Sequence, residues 1–432
     1  MKIAIIGGAS SYTPELIDGL YARLAQVPVS DLWMMDPNSE RLAITSALAR
    51  RMGARHGNPF AIHATDDMRR AVEGADYVVT QIRVGGAQAR IQDEKLGLRH
   101  NVIGQETTGV GGFACALRTI PRILDVAHAM EELAPTGMLI NFTNPAGIIT
   151  EAVLKHSTIN TVGLCNIPIG MVMEIVKRNG CAIEDVSLDY VGLNHLSWVR
   201  GYTIAGNDRT SELLPRLIDD AGEEWDVPEV CSAMQEAMRA LGMFCNYYLQ
   251  YFYATDTMLA HLKSKPKTRG EEVIELETSL FAKYADPGLT EKPAELSKRG
   301  GAHYSTAAFH LIESIVNDRG NTQIVCCRNN SAIPTFDDDV AVEVPAIIGS
   351  HGATAIPQRA PEPSIRGLMQ CVKAYESLTV QAAVTGDTTV ALQAMLENPL
   401  MPGVKGSRML LDDLLDINKP FLPGAFFKPR SE

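Results

Sequence analysis

The first half of the chain alternates short apolar runs with stretches in which apolar residues recur every three or four positions. Residues 3–6 read IAII and residues 32–35 read LWMM, patterns typical of short strands that are buried on both faces. After the first run, Leu16, Leu20 and Leu24 recur at the spacing of one helix face. The N-terminus is therefore predicted to run strand, helix, strand.

The same alternation continues to about residue 195. Thr13 and Ser39 are predicted to cap the first two helices, with Pro14 in the first turn. Further strands are predicted at residues 61–64, 77–81, 138–142, 161–164 and 188–192. Repeated strand–helix units with apolar strands predict an α/β fold with an N-terminal Rossmann-like parallel sheet, covered by helices on both faces.

Beyond residue 195 the pattern changes to longer helical periods, notably over residues 230–262 and 269–284. A stretch rich in Pro and Gly at residues 344–363 precedes the last helices. We therefore expect a nucleotide-binding, Rossmann-like domain at residues 1–195 and a mainly helical α+β domain at residues 196–432, which would bind substrate and form oligomer contacts.

Charge and cysteine content restrict the classes of partner. The 432 residues include 39 Lys and Arg against 51 Asp and Glu, and this net charge of −12 argues against a nucleic-acid or anionic-membrane partner. The apolar runs are too short for a membrane span or a secretion signal. The eight cysteines form no CxxC pair, so we expect reduced thiols and a cytoplasmic protein.

The first predicted turn has the position of a dinucleotide site. Residues 7–12 read GGASSY between the first strand and its helix, where N–H groups and the helix dipole can hold a pyrophosphate. Ala9 and Tyr12 replace two glycines of the usual fingerprint, so a simple connecting turn is the alternative. An acid at the end of the second strand favours NAD over NADP. The candidate cofactor-binding residues are Gly7, Gly8, Ser10, Ser11 and Asp36.

Polar segments follow three predicted strands, at residues 141–145 (NFTNP), 165–168 (CNIP) and 192–195 (GLNH). Ligands of open α/β sheets bind beyond the carboxyl ends of strands, so the three segments are expected to line one cleft. A metal ion shared by Cys165 and His195 is one hypothesis for this cleft. A buried free thiol and a hydrogen-bonded imidazole are the alternative, and spacing alone favours them.

Six motifs, in order along the chain, resemble glycoside hydrolase family 4. They are residues 6–16 (IGGASSYTPEL), 103–109 (IGQETTG), 141–145 (NFTNP), 163–166 (GLCN), 192–195 (GLNH) and 298–301 (KRGG). Within that family the sequence is most similar to the NAD- and Mn-dependent 6-phospho-β-glucosidases. The resemblance also implies a dehydrogenase-like fold of the lactate and malate dehydrogenase type, and a homodimer or homotetramer.

The family's chemistry departs from the usual pair of catalytic carboxylates. The resemblance implies that NAD⁺ takes a hydride from sugar C3, that a base then removes the acidified C2 proton, and that the aglycone leaves from C1. Water then adds, and the hydride returns to C3. The implied substrates are phosphorylated β-glucosides, such as cellobiose 6-phosphate or an aryl glucoside 6-phosphate, and the implied product is glucose 6-phosphate. The implied cofactors are NAD and Mn²⁺, although other divalent metals fit.

The resemblance also assigns roles to particular residues. It implies Cys165 and His195 as metal ligands and Tyr248 as the C2 base. Phe244, Tyr248 and Tyr251 also have the spacing of a helix face, so a packed core stripe is the alternative for the tyrosine. The implied substrate-binding residues are Arg90, Asn144, Asn166 and Arg269.

Asn166 bears on the anomer that the enzyme cleaves. Related phospho-α-glucosidases have an aspartate after the metal-binding cysteine, where it protonates the leaving group, and an amide cannot do so. Asn166 therefore favours β-specificity and leaves the proton donor open. The competing functions are a 6-phospho-α-glucosidase, an NAD-dependent hydroxy-acid dehydrogenase and a non-catalytic NAD-binding protein.

Overall fold

A computed structural model describes residues 1–222, 225, 227–299 and 304–427. The strands of the first half are β1 (Lys2–Ile6), β2 (Asp31–Met35), β3 (Ala61–Thr65), β4 (Tyr77–Thr80), β5 (Met138–Asn141) and β6 (Asn160–Gly163). They are parallel to one another and lie in the order β3-β2-β1-β4-β5-β6. This is the strand order of dinucleotide-binding folds, so the predicted Rossmann-like sheet is confirmed.

Helices connect these strands. They are α1 (Thr13–Tyr21), α2 (Ser39–Arg55), α3 (Met68–Val72), α4 (Gly86–Arg99), α5 (Gly109–Leu133), α6 (Ala146–His156) and α7 (Asn166–Asn179). The predicted caps were wrong by one residue: Thr13 and Ser39 are the first helical residues, and Tyr12 and Asn38 precede them. Asn38 takes the capping role because its Oδ1 accepts from the N–H of Arg41 at 3.0 Å.

A second, antiparallel sheet starts near residue 186. It consists of β7 (Val186–Leu193), β8 (Leu196–Ile204), β9 (Asn207–Asp208) and β10 (Phe244–Cys245). The strand predicted at residues 188–192 therefore belongs to a hairpin outside the parallel sheet. The β7–β8 turn holds His195 in the left-handed region, at φ +63°.

The remaining helices are α8 (Thr210–Asp220), α9 (Pro228–Leu241), α10 (Gln250–Tyr253), α11 (Thr255–Ser264), α12 (Arg269–Tyr284), α13 (Tyr304–Val316), α14 (Pro363–Thr385), α15 (Thr388–Glu397) and α16 (Val404–Asn418). The helical pattern over residues 230–262 is not continuous, because α9 ends at Gly242 with φ +65°. A short 3₁₀ turn at Tyr247–Leu249 then leads into α10. None of the described helices is both long and apolar enough to cross a membrane.

Three late strands extend the first sheet. These are β11 (Asn321–Arg328), β12 (Ala341–Gly349) and β13 (Gly352–Ala355), and β11 pairs antiparallel with β6. The Pro- and Gly-rich stretch at residues 344–363 thus contains much of β12 and all of β13. The apolar residues of β12 outweigh Pro345, which lies opposite Ile324 within the ladder. The sheet therefore includes residues on both sides of position 195.

Candidate active site

A cavity of about 1000 Å³ lies at the carboxyl ends of the parallel strands. Nine of the predicted site residues line it: Gly7, Ser10, Ser11, Asp36, Arg90, Asn144, Asn166, Tyr248 and Arg269. Gly8, Cys165 and His195 do not line it directly. Each has a neighbour that does: Gly7 and Asn166 are adjacent in the chain to Gly8 and Cys165, and Tyr248 stacks on His195. Residues 300–301 of the KRGG motif lie outside the described residues.

The glycine turn is fixed by the strands around it. Gly7 has φ +99°, and a Cβ there would lie 2.7 Å from the carbonyl oxygen of Gln81. The N–H groups of Gly7 and Gly8 both donate to the carbonyl of Met35, at 2.9 and 2.8 Å. These two glycines therefore shape the turn, and their own N–H groups are already used.

Asp36 joins the turn to the end of β2. Its Oδ2 accepts from the N–H of Ala9 at 3.2 Å, and its Oδ1 accepts from the N–H of Asn38 at 2.9 Å. Burial raises the pKa of Asp36, and these hydrogen bonds and Arg41 partly oppose that shift. The carboxylate stays on the cavity wall, at the place where a nucleotide-binding fold holds the ribose.

The turn is also tied to α12 through Glu277. The hydroxyl of Ser11 donates to Glu277 Oε1 at 2.9 Å, and Arg41 donates to Oε2 at 2.9 Å. Arg299 approaches Oε1 at 3.3 Å. One carboxylate thus connects the candidate cofactor turn with an arginine of the candidate substrate region.

Cys165 and His195 both lie near Tyr248. Cys165 caps α7, and its Sγ accepts from the N–H of Ile167 at 3.5 Å. The ring of His195 stacks on that of Tyr248 at 3.6 Å between centroids and 9° between planes. The charge of an ionised Cys165 thiol would also act on the Tyr248 phenol, so the three groups share one environment.

The two candidate ligands differ in how ready they are to bind a metal ion. Burial lowers the pKa of His195 to about 3, which keeps its imidazole neutral and able to coordinate. Burial, with the charge of Glu343, raises the pKa of Cys165 to about 12. A divalent cation supplies the positive charge that would make this thiol lose its proton. Within the described residues no group of three or more His, Cys, Asp and Glu side chains could hold a metal ion, so a metal bound by Cys165 and His195 would need further ligands from outside such a cluster.

Tyr248 does not belong to a helical core stripe. Phe244 lies in β10, Tyr248 in the 3₁₀ turn and Tyr251 in α10, so the three residues do not share the single helix face that was the alternative reading of their spacing. The Oδ1 of Asn246 accepts from the N–H of Tyr248 at 3.0 Å and fixes the turn. Burial, followed by the negative charges of Glu106 and Cys165, holds the pKa of the Tyr248 phenol well above its usual range.

The sequence analysis missed several charged residues of the cavity, among them Arg83, Glu106 and Arg299. Glu106 Oε2 lies 2.7 Å from Arg83 and 2.9 Å from Arg90. Burial alone would raise the pKa of Glu106, but the charges of Arg83 and Arg90 lower it to about 2. The motifs QETTG and KRGG contained Glu106 and Arg299, yet no local pattern indicates which charges meet in space.

The four predicted substrate-binding residues differ in how they are held. Arg90 is buried and also pairs with Glu94 at 2.8 Å, whereas Arg269 is half exposed and pairs with Glu272 at 2.9 Å. Asn144 precedes a cis bond to Pro145, and its side chain is a partner of the Tyr304 hydroxyl. Asn166 is the first residue of α7, next to Cys165.

The chain matches known proteins over nearly its whole length. Residues 2–180 match the model of the family 4 glycosyl hydrolases, and residues 190–401 match the model of their C-terminal domain. A Bacillus subtilis protein named probable 6-phospho-β-glucosidase is 41% identical over 99% of this chain and 98% of its own. A 6-phospho-β-glucosidase structure from Thermotoga maritima, with manganese, NAD⁺ and glucose 6-phosphate, has a TM-score of 0.91 at 35% identity, covering 98% of this chain and 99% of its own.

More distant structures agree on the fold. The malate dehydrogenase of Plasmodium falciparum has a TM-score of 0.54 at 15% identity, covering 89% of this chain and 98% of its own. This likeness concerns the fold alone, and it confirms the dehydrogenase-like architecture that the resemblance implied. The family models and the identity to the Bacillus protein over both full lengths show that the chain belongs to family 4 of the glycosyl hydrolases.

Proposed function

We propose that this enzyme is a 6-phospho-β-glucosidase that requires NAD and Mn²⁺ and releases glucose 6-phosphate. The observation that carries the proposal is a single cavity that combines the dinucleotide turn, Tyr248 and a group of arginines. Relatives with this name and a structure holding these cofactors support the same conclusion. The proposed activity requires these three parts and also the Cys165–His195 pair. A hydroxy-acid dehydrogenase does not need that pair.

The cofactors would occupy the residues described above. NAD would lie along Ser10, Ser11 and Asp36, and the metal ion would be held by Cys165 and His195 with sugar oxygens. When bound, NAD⁺ supplies reversible oxidation at sugar C3, and Mn²⁺ supplies Lewis-acid polarisation of the O2–O3 edge. A thiolate and an imidazole also suit zinc, so the choice of manganese rests on the relatives.

Tyr248 is the proposed base for the C2 proton. Its ring is fixed face to face with His195, which limits where the phenol oxygen can point. Without a ligand the pKa of the phenol is too high for a base at neutral pH, because burial and the nearby Glu106 carboxylate oppose ionisation. The residue can therefore act only when positive charge is bound next to it, which links proton removal to a loaded site.

The arginines are the proposed site of the 6-phosphate. Arg90 and Arg269 line the cavity, as do Arg83 and Arg299. Guanidinium groups bind phosphate through paired, charge-assisted hydrogen bonds, which a globally acidic protein must provide locally. Glu106 neutralises part of this charge and keeps Arg83 and Arg90 in place before substrate arrives.

An assay with p-nitrophenyl β-glucoside 6-phosphate tests the proposal. We expect p-nitrophenolate release that requires both NAD⁺ and Mn²⁺, without accumulation of NADH, and solvent deuterium at C2 of the glucose 6-phosphate formed. Stoichiometric NADH would indicate the dehydrogenase instead. Faster cleavage of the α-anomer would show that Asn166 does not set the β preference, and no turnover with either anomer would favour a non-catalytic role.

The proposal extends to the location and assembly of the enzyme. The eight cysteines are all free in the structure, in keeping with a reducing cytoplasm. A homodimer or homotetramer is proposed from the family resemblance, and the acidic net charge supports the absence of a nucleic-acid partner. Light scattering after size-exclusion chromatography measures the assembly, and a monomeric mass would contradict it.

A further inference from the structure

The loop before α5 reaches the candidate metal ligand His195. The hydroxyl of Thr107 lies 3.2 Å from His195 Nδ1, and both side chains are buried. The same hydroxyl lies 3.0 Å from Oε1 of Gln105. Thr107 thus stands between an amide oxygen and the imidazole.

The direction of these hydrogen bonds follows from the surroundings of Gln105. Its Oε1 accepts from the backbone N–H groups of Thr107 at 2.6 Å and Thr108 at 2.7 Å. An amide NH₂ could not face two donors, so the atom there is the carbonyl oxygen. The hydroxyl of Thr107 must therefore donate to Gln105, and its lone pair is directed to accept from His195 Nδ1–H.

The loop has little freedom to move away from this arrangement. A Cβ at Gly111 would lie 2.0 Å from the carbonyl oxygen of Gln105, and one at Gly112 would lie 2.3 Å from that of Thr107. The first turn of α5 therefore packs directly on the loop backbone. On the other side of the imidazole, Tyr248 stacks on the ring and fixes its plane.

We propose that Thr107, oriented by Gln105, is a positioning residue that holds His195 as the Nδ1–H tautomer and leaves the Nε2 lone pair for the metal ion. Stacking on Tyr248 fixes the plane of the ring, and the hydrogen bond to Thr107 fixes its rotation within that plane. This inference rests on the proposed role of His195 as a metal ligand. Groups that orient a ligating histidine in this way commonly contribute strongly to metal affinity.

The first test compares Mn²⁺ binding to Thr107→Val and Thr107→Ser, measured as free Mn²⁺ by electron paramagnetic resonance without substrate. We expect Thr107→Val to weaken binding about 10- to 100-fold and Thr107→Ser to stay near wild type. Thr108→Val is the matched control, because Thr108 takes part in the loop through its backbone N–H and should bind as wild type. Unchanged affinity of folded Thr107→Val would overturn the inference.

The second test reads the tautomer of His195 in the wild-type protein and uses a variant only to assign the signal. Nitrogen-15 shifts of the histidines in the metal-free wild-type protein, assigned by loss of one signal in His195→Gln, report the tautomer directly. We expect Nδ1 to be protonated, and an Nε2–H tautomer would overturn the inference. If His195→Gln retains wild-type Mn²⁺ affinity, His195 is not a metal ligand and the proposed metal site is wrong. If His195→Gln loses Mn²⁺ affinity while Thr107→Val binds Mn²⁺ normally, only the role of Thr107 is rejected.

Discussion

The proposed role of Tyr248 as a base depends on the cofactors bound beside it. Burial and the negative charges of Glu106 and Cys165 raise the pKa of its phenol. The positive groups that would reverse this shift are the metal ion and the oxidised nicotinamide, both of which bind in the same cavity in our proposal. The phenol should therefore be a base only in the loaded enzyme.

We expect Tyr248→Phe to lower turnover about 100-fold or more, because general-base catalysis typically contributes factors of about 10² to 10⁴. Mn²⁺ and NAD⁺ affinities should change little, because the aromatic ring that stacks on His195 remains. Tyr253→Phe, in α10 and away from the cavity wall, is the control. Steady-state kinetics and deuterium exchange at C2 measure the effect, and wild-type turnover would show that Tyr248 only packs.

Glu376 is a second residue whose charge is set by burial. One ammonium, that of Lys373, lies 2.7 Å from Glu151 and 2.5 Å from Glu376, all three being buried. Both carboxylates thus pair with this ammonium, and Lys155 also approaches Glu151, at 3.3 Å. Burial, only partly offset by Lys373, and the charge of Glu151 raise the pKa of Glu376 to about 7.

This raised pKa predicts a pH dependence of stability. The folded state binds a proton on Glu376 more tightly than the unfolded state does. The contribution of this proton to the free energy of unfolding is therefore complete below about pH 4.5 and declines as the pH rises to about 7. Glu376→Gln should remove this slope, which amounts to at most about 3 kcal/mol. Urea unfolding between pH 5 and 8 measures it, with the exposed Glu397→Gln as control, and parallel pH profiles for wild type and Glu376→Gln would contradict the prediction.

At the scale of elements, the turn between β1 and α1 combines two functions. Its glycines let β1, β2 and β4 approach each other, since Gln81 of the segment after β4 also donates to the carbonyl of Gly7 at 3.1 Å. Its serines and Asp36 face the cavity. The conformation of the turn and the cofactor site are therefore inseparable.

We expect Gly7→Ala to lower the free energy of unfolding by about 2 kcal/mol, because φ +99° is strained for alanine and its Cβ would meet the Gln81 carbonyl. NAD⁺ affinity should fall as well, because the turn has to move. Gly170→Ala in α7 is the matched control, since a Cβ there has nothing within 4 Å and alanine favours helix. Urea unfolding and NAD⁺ titration test both variants, and equal stability of the two would refute the argument.

For the whole molecule, the main sheet links the two halves of the chain. Strand β11 covers the edge of β6, and α14 packs against α5 and α6. Residues 1–195 alone would expose that edge and the apolar faces that α14 covers. The expected boundary at residue 195 therefore separates the cofactor-binding part from the substrate-binding part, but it does not separate two independent folding units. The boundary stays a prediction.

We expect a fragment of residues 1–195 to lack cooperative unfolding, whereas the whole chain unfolds in a concerted transition. Circular dichroism in increasing urea compares the fragment with the whole chain. The control is a circularly permuted fragment in which the segment β11–β13 is joined to residues 1–195. A cooperative transition of the fragment at the midpoint of the whole chain would show that the N-terminal half folds independently.

Local sequence determined much of this protein. The apolar runs and turn residues fixed the parallel strands to within about a residue, because backbone hydrogen bonding and burial act over neighbouring positions. The motifs indicated the family and the residues Gly7, Cys165, His195 and Tyr248, although their roles remain proposals. Periodicity alone would have placed Tyr248 in a core stripe.

Only the tertiary structure decided which distant groups meet. It stacks His195 on Tyr248, places Glu106 between Arg83 and Arg90, and joins β11 to β6. These contacts connect positions many residues apart, and their free energy comes from packing and charge in the folded chain. No local sequence pattern predicts these contacts, since each partner alone has the sequence features of an ordinary core or surface residue.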